Sequence, residues 1–221
     1  MRLRVLQIAV IAEPLTINLH FSDVTYLISK MLEYIVHVGS TNAMAICRQL
    51  ACDTWFMADD KRILLRHFLA ALAYRTQKAL RAAPPEFSEF RAPLLVRTPH
   101  QLIRHMDDVL GYARTFFIGG TYRAPQLADF AAAVAHFHET LADVARHLEL
   151  GTEFQGITAE TMLQGPFSDA MTHVGQLAML RRLAGSPVPP ENFVFAAISP
   201  ANLGVDQPLP VKPDKNWPER L

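Results

Sequence analysis

Four stretches of this chain place apolar residues at helical spacing, and each is closed by glycine or proline. No other feature limits the fold so tightly. The first runs from about Asp59 to Ala83, with Leu65, Phe68, Leu69, Leu72, Thr76 and Leu80 on one face. Asp59 and Asp60 suit a positive helix N-terminus, and Pro84-Pro85 stops the helix. The second begins at Thr98, an N-cap residue type, with Pro99 at the first helical position. Its stripe is Leu102, Met106, Val109, Leu110, Ala113, Phe116 and Phe117, and Gly119-Gly120 ends it. The third runs from about Pro125 to Leu150, with Val134, Phe137, Leu141, Val144 and Leu148 inward and Gly151 as its stop. The fourth reaches from near Thr158 to Ala184, followed by Gly185. Gly165-Pro166 lies inside it, which predicts a kink or a fresh start at Pro166. Four such helices predict an all-α fold, a four-helix bundle over 59–185.

The flanks read differently. Residues 1–58 form an N-terminal extension that is partly helical. "VLQIAVIA" and "LTINLHF" within it have a strand-like pattern. Val24, Leu27, Ile28, Met31, Leu32 and Ile35 then form an apolar stripe, closed by Gly39, too apolar to stay in water. That helix is expected on the outside of the bundle or in a homodimer contact. A shorter helical segment follows, about Asn42 to Phe56. Residues 186–221 are a Pro-rich tail with no helical period, expected to lie extended along the bundle with its last ten or so residues loose.

Formal net charge is zero. The chain therefore has no electrostatic footprint for nucleic acid or for an anionic membrane surface. No apolar run reaches the roughly 20 residues of a membrane span. "MRLRVLQIAVIAEPL" has a faint signal-peptide look, but its apolar run is brief and "AEP" is a poor cleavage site. The expected location is the cytoplasm, and a reducing compartment suits the two cysteines, Cys47 and Cys52. Their spacing favours neither a local disulfide nor a zinc knuckle, and they read as small buried or half-buried thiols.

The chemistry concentrates in "SDAMTHVGQLAMLRRLAG", residues 168–185. Ala170, Val174, Leu177 and Leu180 mark the buried face, and Asp169 and His173 fall on or beside it. A carboxylate and an imidazole there need a partner. His105 lies on the apolar face of the second helix, and His138 is partly inward on the third. His67, His100, His136 and His147 fall on or near polar faces. Ligands at i and i+4 on one helix, with a third from a facing helix, can converge on one divalent metal ion. Imidazole and carboxylate suit zinc, nickel, iron or manganese.

"RTPHQLIRHMDDVLGYA" followed by "SDAMTHVGQLAMLRRLAG" resembles the DinB-like family of metalloenzymes, a superfamily that includes thiol-dependent S-transferases. The resemblance covers residues 59–185. It implies a four-helix bundle with one metal-binding histidine on the second helix and a His-x-x-x-His pair on the last. His105 matches the first position, and His173, in "HVGQ", matches the last. Asp169 stands where many members have histidine, and aspartate can also ligate. The metal set implied is His105, Asp169 and His173, with a coordination position left for water. The implied activity is that of a hydrolase or a thiol-dependent S-transferase acting on a small-molecule substrate, with a low-molecular-weight thiol as a possible cosubstrate.

A different class of function fits the same residues. In a non-catalytic helical bundle that binds a ligand or partner, Asp169 and His173 form a charge-assisted hydrogen bond and His105 bonds another core group. Gly175 then serves close helix approach, Gln176 bonds the tail, and Arg181 and Arg182 suit a helix C-terminus.

Overall fold

No proline or glycine stands between Asn42 and Ala83, and a single helix, α1 (Thr41–Leu80), occupies this stretch. The computed structural model describes residues 41–93 and 95–213, with side chains from residue 60 onward. The expected break between Phe56 and Asp59 is absent, because nothing there removes a backbone donor or adds a strong turn former. Asp59 and Asp60 thus lie inside a helix rather than at its start. The strand-like and helical readings of residues 1–38, the burial of Cys47 and Cys52, and the end of the tail lie outside the described residues and side chains. The chain divides into units Met1–Met57 and Ala58–Leu221. The core below belongs to the second.

Three further long or medium helices follow. α2 (Pro99–Ile118) opens with a full capping box. Thr98 Oγ1 accepts from the Gln101 N–H at 3.2 Å, and the Thr98 N–H donates back to Gln101 Oε1 at 3.0 Å. α3 (Phe130–Glu149) starts five residues later than its apolar pattern predicts. Asp129 is the reason: its carboxylate accepts from the Ala131 and Ala132 N–H groups and fixes the N-cap. Leu127, ahead of that cap, still packs against the core. α4 (Ala159–Met162) is one turn long and leads through a π-helical turn, Leu163–Phe167, into α5 (Ser168–Leu183). Pro166 sits inside the π-turn. The predicted interruption is present, as a widened turn rather than a break.

α1, α2, α3 and α5 contribute to one hydrophobic core, and no strand forms among the described residues. Leu69 and Leu72 from α1, Leu110 from α2, Phe137 and Leu141 from α3 and Leu177 from α5 are fully buried. Truncating any one of these leucines to alanine costs about 2–5 kcal/mol in transfer and cavity terms. The loop after α2 packs back across Gly111. A Cβ there would meet the Tyr122 ring at 1.9 Å, so the loop after α2 can lay Tyr122 against the helix only because residue 111 has no side chain. Gly175, by contrast, faces open space. It serves no close helix approach.

Two buried charges tie the chain ends of the core together. α1 stops near Leu80 with Ala82 at φ 52°, ahead of Pro84. Arg181 of α5, only 3% exposed, donates to the carbonyls of Ala79, Arg81 and Ala82 and to Ser186. It therefore caps the end of a helix other than its own. In the tail, Glu191 accepts from Tyr74 Oη at 2.7 Å and pairs with Lys78 at 3.1 Å. Arg81 bonds the carbonyls of Gln207 and Pro208, and Leu203 packs on the core. Among the described residues, no helix is long and apolar enough to cross a membrane.

Candidate metal centre

His105 is set by α2. The Thr98 capping box fixes where the first turn begins, and His105 then lies two turns in, between the buried Leu102 and Val109. Asp169 and His173 are set by α5, in its first two turns after the π-turn. The three side chains come together: one ligand-type atom from each lies within 4.8 Å of the other two. His105 and His173 meet edge to face, with ring centroids 4.6 Å apart.

Their environments differ. His173 is 6% exposed and His105 half-buried. The Asp169 side chain is 51% exposed, so it sits at the rim of the site and not on the buried face where helical spacing puts it. That resolves the apparent burial of an unpaired carboxylate. Burial pushes the His105 pKa below the ordinary histidine value, aided by Arg97 and His173 and opposed by Asp169 and Asp108. The neutral ring is the form that ligates metal.

One buried atom of this cluster is unsatisfied. His173 Nε2 is buried with no hydrogen-bond partner. It lies 3.3 Å from Asp169 Oδ1, but the two are not aligned for a hydrogen bond. The other ring nitrogen is occupied, since His173 Nδ1–H donates to Gln176 Oε1 at 2.9 Å. Three atoms bound to one tetrahedral zinc at about 2.0–2.1 Å lie roughly 3.3 Å apart. His173 Nε2 and Asp169 Oδ1 already have that spacing, and His105 offers a third ligand-type atom in the same cluster. The residues therefore fit a divalent ion.

His138 does not join them. It is buried, but Gln77 Nε2–H donates to its Nε2 at 2.8 Å and its Nδ1–H donates to the Leu203 carbonyl at 2.6 Å. Both nitrogens are spoken for, and the ring holds the tail to α1 and α3. His147, read from spacing as polar-facing, is buried and stacked on Phe117, with ring planes 12° apart. Gln176 bonds His173 and not the tail. Arg181 is buried, as described above, rather than solvated.

A second polar group escaped the sequence reading. Buried Asp107 accepts from His136 Nδ1–H at 2.8 Å and from Tyr122 Oη at 3.0 Å, and Tyr122 also contacts Thr140. Burial, with Asp107 and Asp108 nearby, pushes the Tyr122 hydroxyl up to about 12. Asp107 breaks the apolar pattern of α2 next to Met106, a signal that was present but had no visible partner.

An open cleft of about 550 Å³ adjoins Asp169, between Val109 and Tyr112 of α2 and Gly165, Pro166, Ser168 and Thr172 around the π-turn. It provides room for a small molecule beside the cluster. No protein-family model, curated protein or solved structure matches the chain.

Proposed function

We propose that this chain is a metal-dependent enzyme of the DinB-like kind, a four-helix bundle that binds one divalent ion through His105, Asp169 and His173 and acts on a small molecule. The observation that carries the reading is the buried, unpartnered His173 Nε2 beside Asp169 and His105. His138, a core histidine with a structural role, uses both ring nitrogens; the buried His147 Nε2, which also has no hydrogen-bond partner, lies 3.9 Å from one carboxylate, Asp143, and, among the described residues, beside no second imidazole. His173 leaves one open toward two other ligand types.

The ion would supply Lewis acidity, lowering the pKa of a water or a thiol. The chain's own residues do the rest. His105 and His173 offer imidazole nitrogens in a partly dehydrated site. Asp169, at the rim, brings the negative charge to the side open to the cleft. Tyr112 and Val109 offer an apolar wall, and Gln164, Ser168 and Thr172 a polar one. Hydrolysis and thiol-dependent S-transfer both fit this arrangement, and a thiol cosubstrate suits a cleft whose lining holds no cysteine. Zinc, nickel, iron and manganese all suit two imidazoles and a carboxylate.

The 3.3 Å approach of His173 Nε2 to Asp169 Oδ1 favours a second reading, a non-catalytic bundle in which the two form an ion pair without metal and the cleft binds a ligand or partner. Elemental analysis of untagged protein separates the readings. The first expects about one equivalent of metal, as isolated or after incubation with zinc, nickel or manganese. No metal under any of these conditions leaves the second.

A further inference from the structure

Gln176 stands one turn beyond His173 on the exposed side of α5. Residues three apart on a helix are neighbours, and here the contact is specific: Nδ1–H of the ring donates to the amide oxygen at 2.9 Å. A neutral imidazole with its proton on Nδ1 carries its lone pair on Nε2. In the opposite tautomer, His173 would bury an N–H at Nε2 that is aligned with no acceptor. Orphaned buried donors are rarer than under-satisfied acceptors.

We propose that Gln176 is a positioning residue: its amide oxygen holds His173 in the Nδ1–H tautomer and keeps the Nε2 lone pair turned toward His105 and Asp169. Its use rests on the metal reading above, but the tautomer is a property of the metal-free chain and can be read without any ion. Metal-binding histidines generally have their second nitrogen fixed by a carboxylate, a backbone carbonyl or water. Here a side-chain amide three residues along the same helix does that work. The arrangement needs no second element, so the ligand and its orienting group move as one unit. Gln176 is exposed and supports no core contact, so replacing it leaves the fold intact.

The test compares the full chain with Gln176→Met, which removes the acceptor at similar length, and Gln176→Glu, which keeps one. Long-range nitrogen–proton correlation spectra of metal-free protein, at a pH where the ring is neutral, report the His173 tautomer. Competition with a chromogenic chelator reports zinc affinity, and thermal melting checks the fold. The expected result is an Nδ1–H ring in the wild type and in Gln176→Glu, with a shift toward Nε2–H in Gln176→Met. Zinc affinity should then fall about 10–100-fold in Gln176→Met and hold in Gln176→Glu, with melting unchanged in both. A wild-type ring protonated on Nε2, or a measurable zinc affinity unchanged by Gln176→Met, overturns the proposal. If the tautomer responds as expected and no variant binds zinc, the orienting role of Gln176 stands and the metal reading is the one that fails.

Discussion

His105 of α2 and His173 of α5 meet edge to face, their ring planes at 74° and their centroids 4.6 Å apart. Burial and His173 both lower the His105 pKa. His105 is thus biased toward its neutral form, with Asp169 bringing negative charge to the rim.

Substitutions at Asp169 and His173 should have graded effects. Asp169→Ala removes an exposed carboxylate, so stability should change by only about 0.5 kcal/mol while metal affinity drops. His173→Ala should reduce affinity by more than the roughly 10–100-fold typical of an outer-shell partner. Asp169→His keeps three ligands and should bind metal and melt like the wild type. Affinity and melting of the three variants decide the matter. An Asp169→His protein that is both less stable and unable to bind metal would speak for the metal-free ion pair.

Acid should destabilise the fold through its buried rings. Burial lowers the pKa of His138, against a weaker opposing effect of its bond to Leu203, and burial lowers His147 as well. The unfolded chain takes up these protons near pH 6.5, and the folded chain resists them. Stability is therefore fullest above about pH 6.5 and is lost as pH falls through the lowered folded values. Melting temperature should decline over that window. His138→Asn should start lower but decline less steeply; an unchanged slope would show that His138 takes no part.

Removing the guanidinium of Arg181 strips several carbonyls at the end of α1 of their donor. Arg181→Met, which keeps the apolar stem, should cost about 2–4 kcal/mol in urea unfolding, given about 1.5–3 kcal/mol for hydrogen bonds to a charged group. A change below about 0.5 kcal/mol would mean that water replaces the cap.

Glu191 has a side chain that is fully buried, hydrogen-bonded by Tyr74 and ion-paired with Lys78. Glu191→Ala leaves the Lys78 ammonium buried without its partner and should cost about 3–5 kcal/mol. Tyr74→Phe should cost about 1 kcal/mol. Limited proteolysis should cut the tail of Glu191→Ala much faster than that of the wild type. Equal cutting would show that Leu203 and Gln207 hold the tail by themselves.

A chain lacking residues 1–57 retains the whole unit Ala58–Leu221, including every core residue named above. It should melt cooperatively. A broad, non-cooperative transition would place part of the core in the deleted segment.

Much of the helical core was legible because periodicity and caps agree. Thr98-Pro99 marks the start of α2, and the stripes of Leu102 to Phe117 and Val134 to Leu148 are buried as their spacing requires, with Phe116 half-buried. The pairing of Asp169 with His173 was legible too, since i and i+4 always share a helix face. What was hidden depends on contacts between distant residues. Asp59-Asp60 looks like a start because acidic residues favour N-termini, yet only a missing backbone donor or a strong turn former ends the preceding helix. His147 has polar neighbours in sequence, and only Phe117, thirty positions away, reveals its burial. Asp107 reads as a stray charge until Tyr122 and His136 close on it. The exposure of Asp169 depends on where α5 starts, which helical spacing alone does not fix.

The π-turn at Leu163–Phe167 makes the site a matter of counting. A π-turn holds one more residue than an α-turn, and each residue of an α-helix advances about 100° around the axis. Deleting a single residue between Leu163 and Pro166 would remove the extra residue and let α4 and α5 run in α-helical phase, with a kink left at Pro166. Everything downstream would then rotate by about that angle relative to α4. Either Asp169 and His173 swing away from His105, or Leu177 and Leu180 leave the core to keep them there. The extra residue therefore acts as a phase setting that lets one helix satisfy its core face and its ligand face together, and a one-residue deletion should abolish the cluster more completely than any single substitution within it.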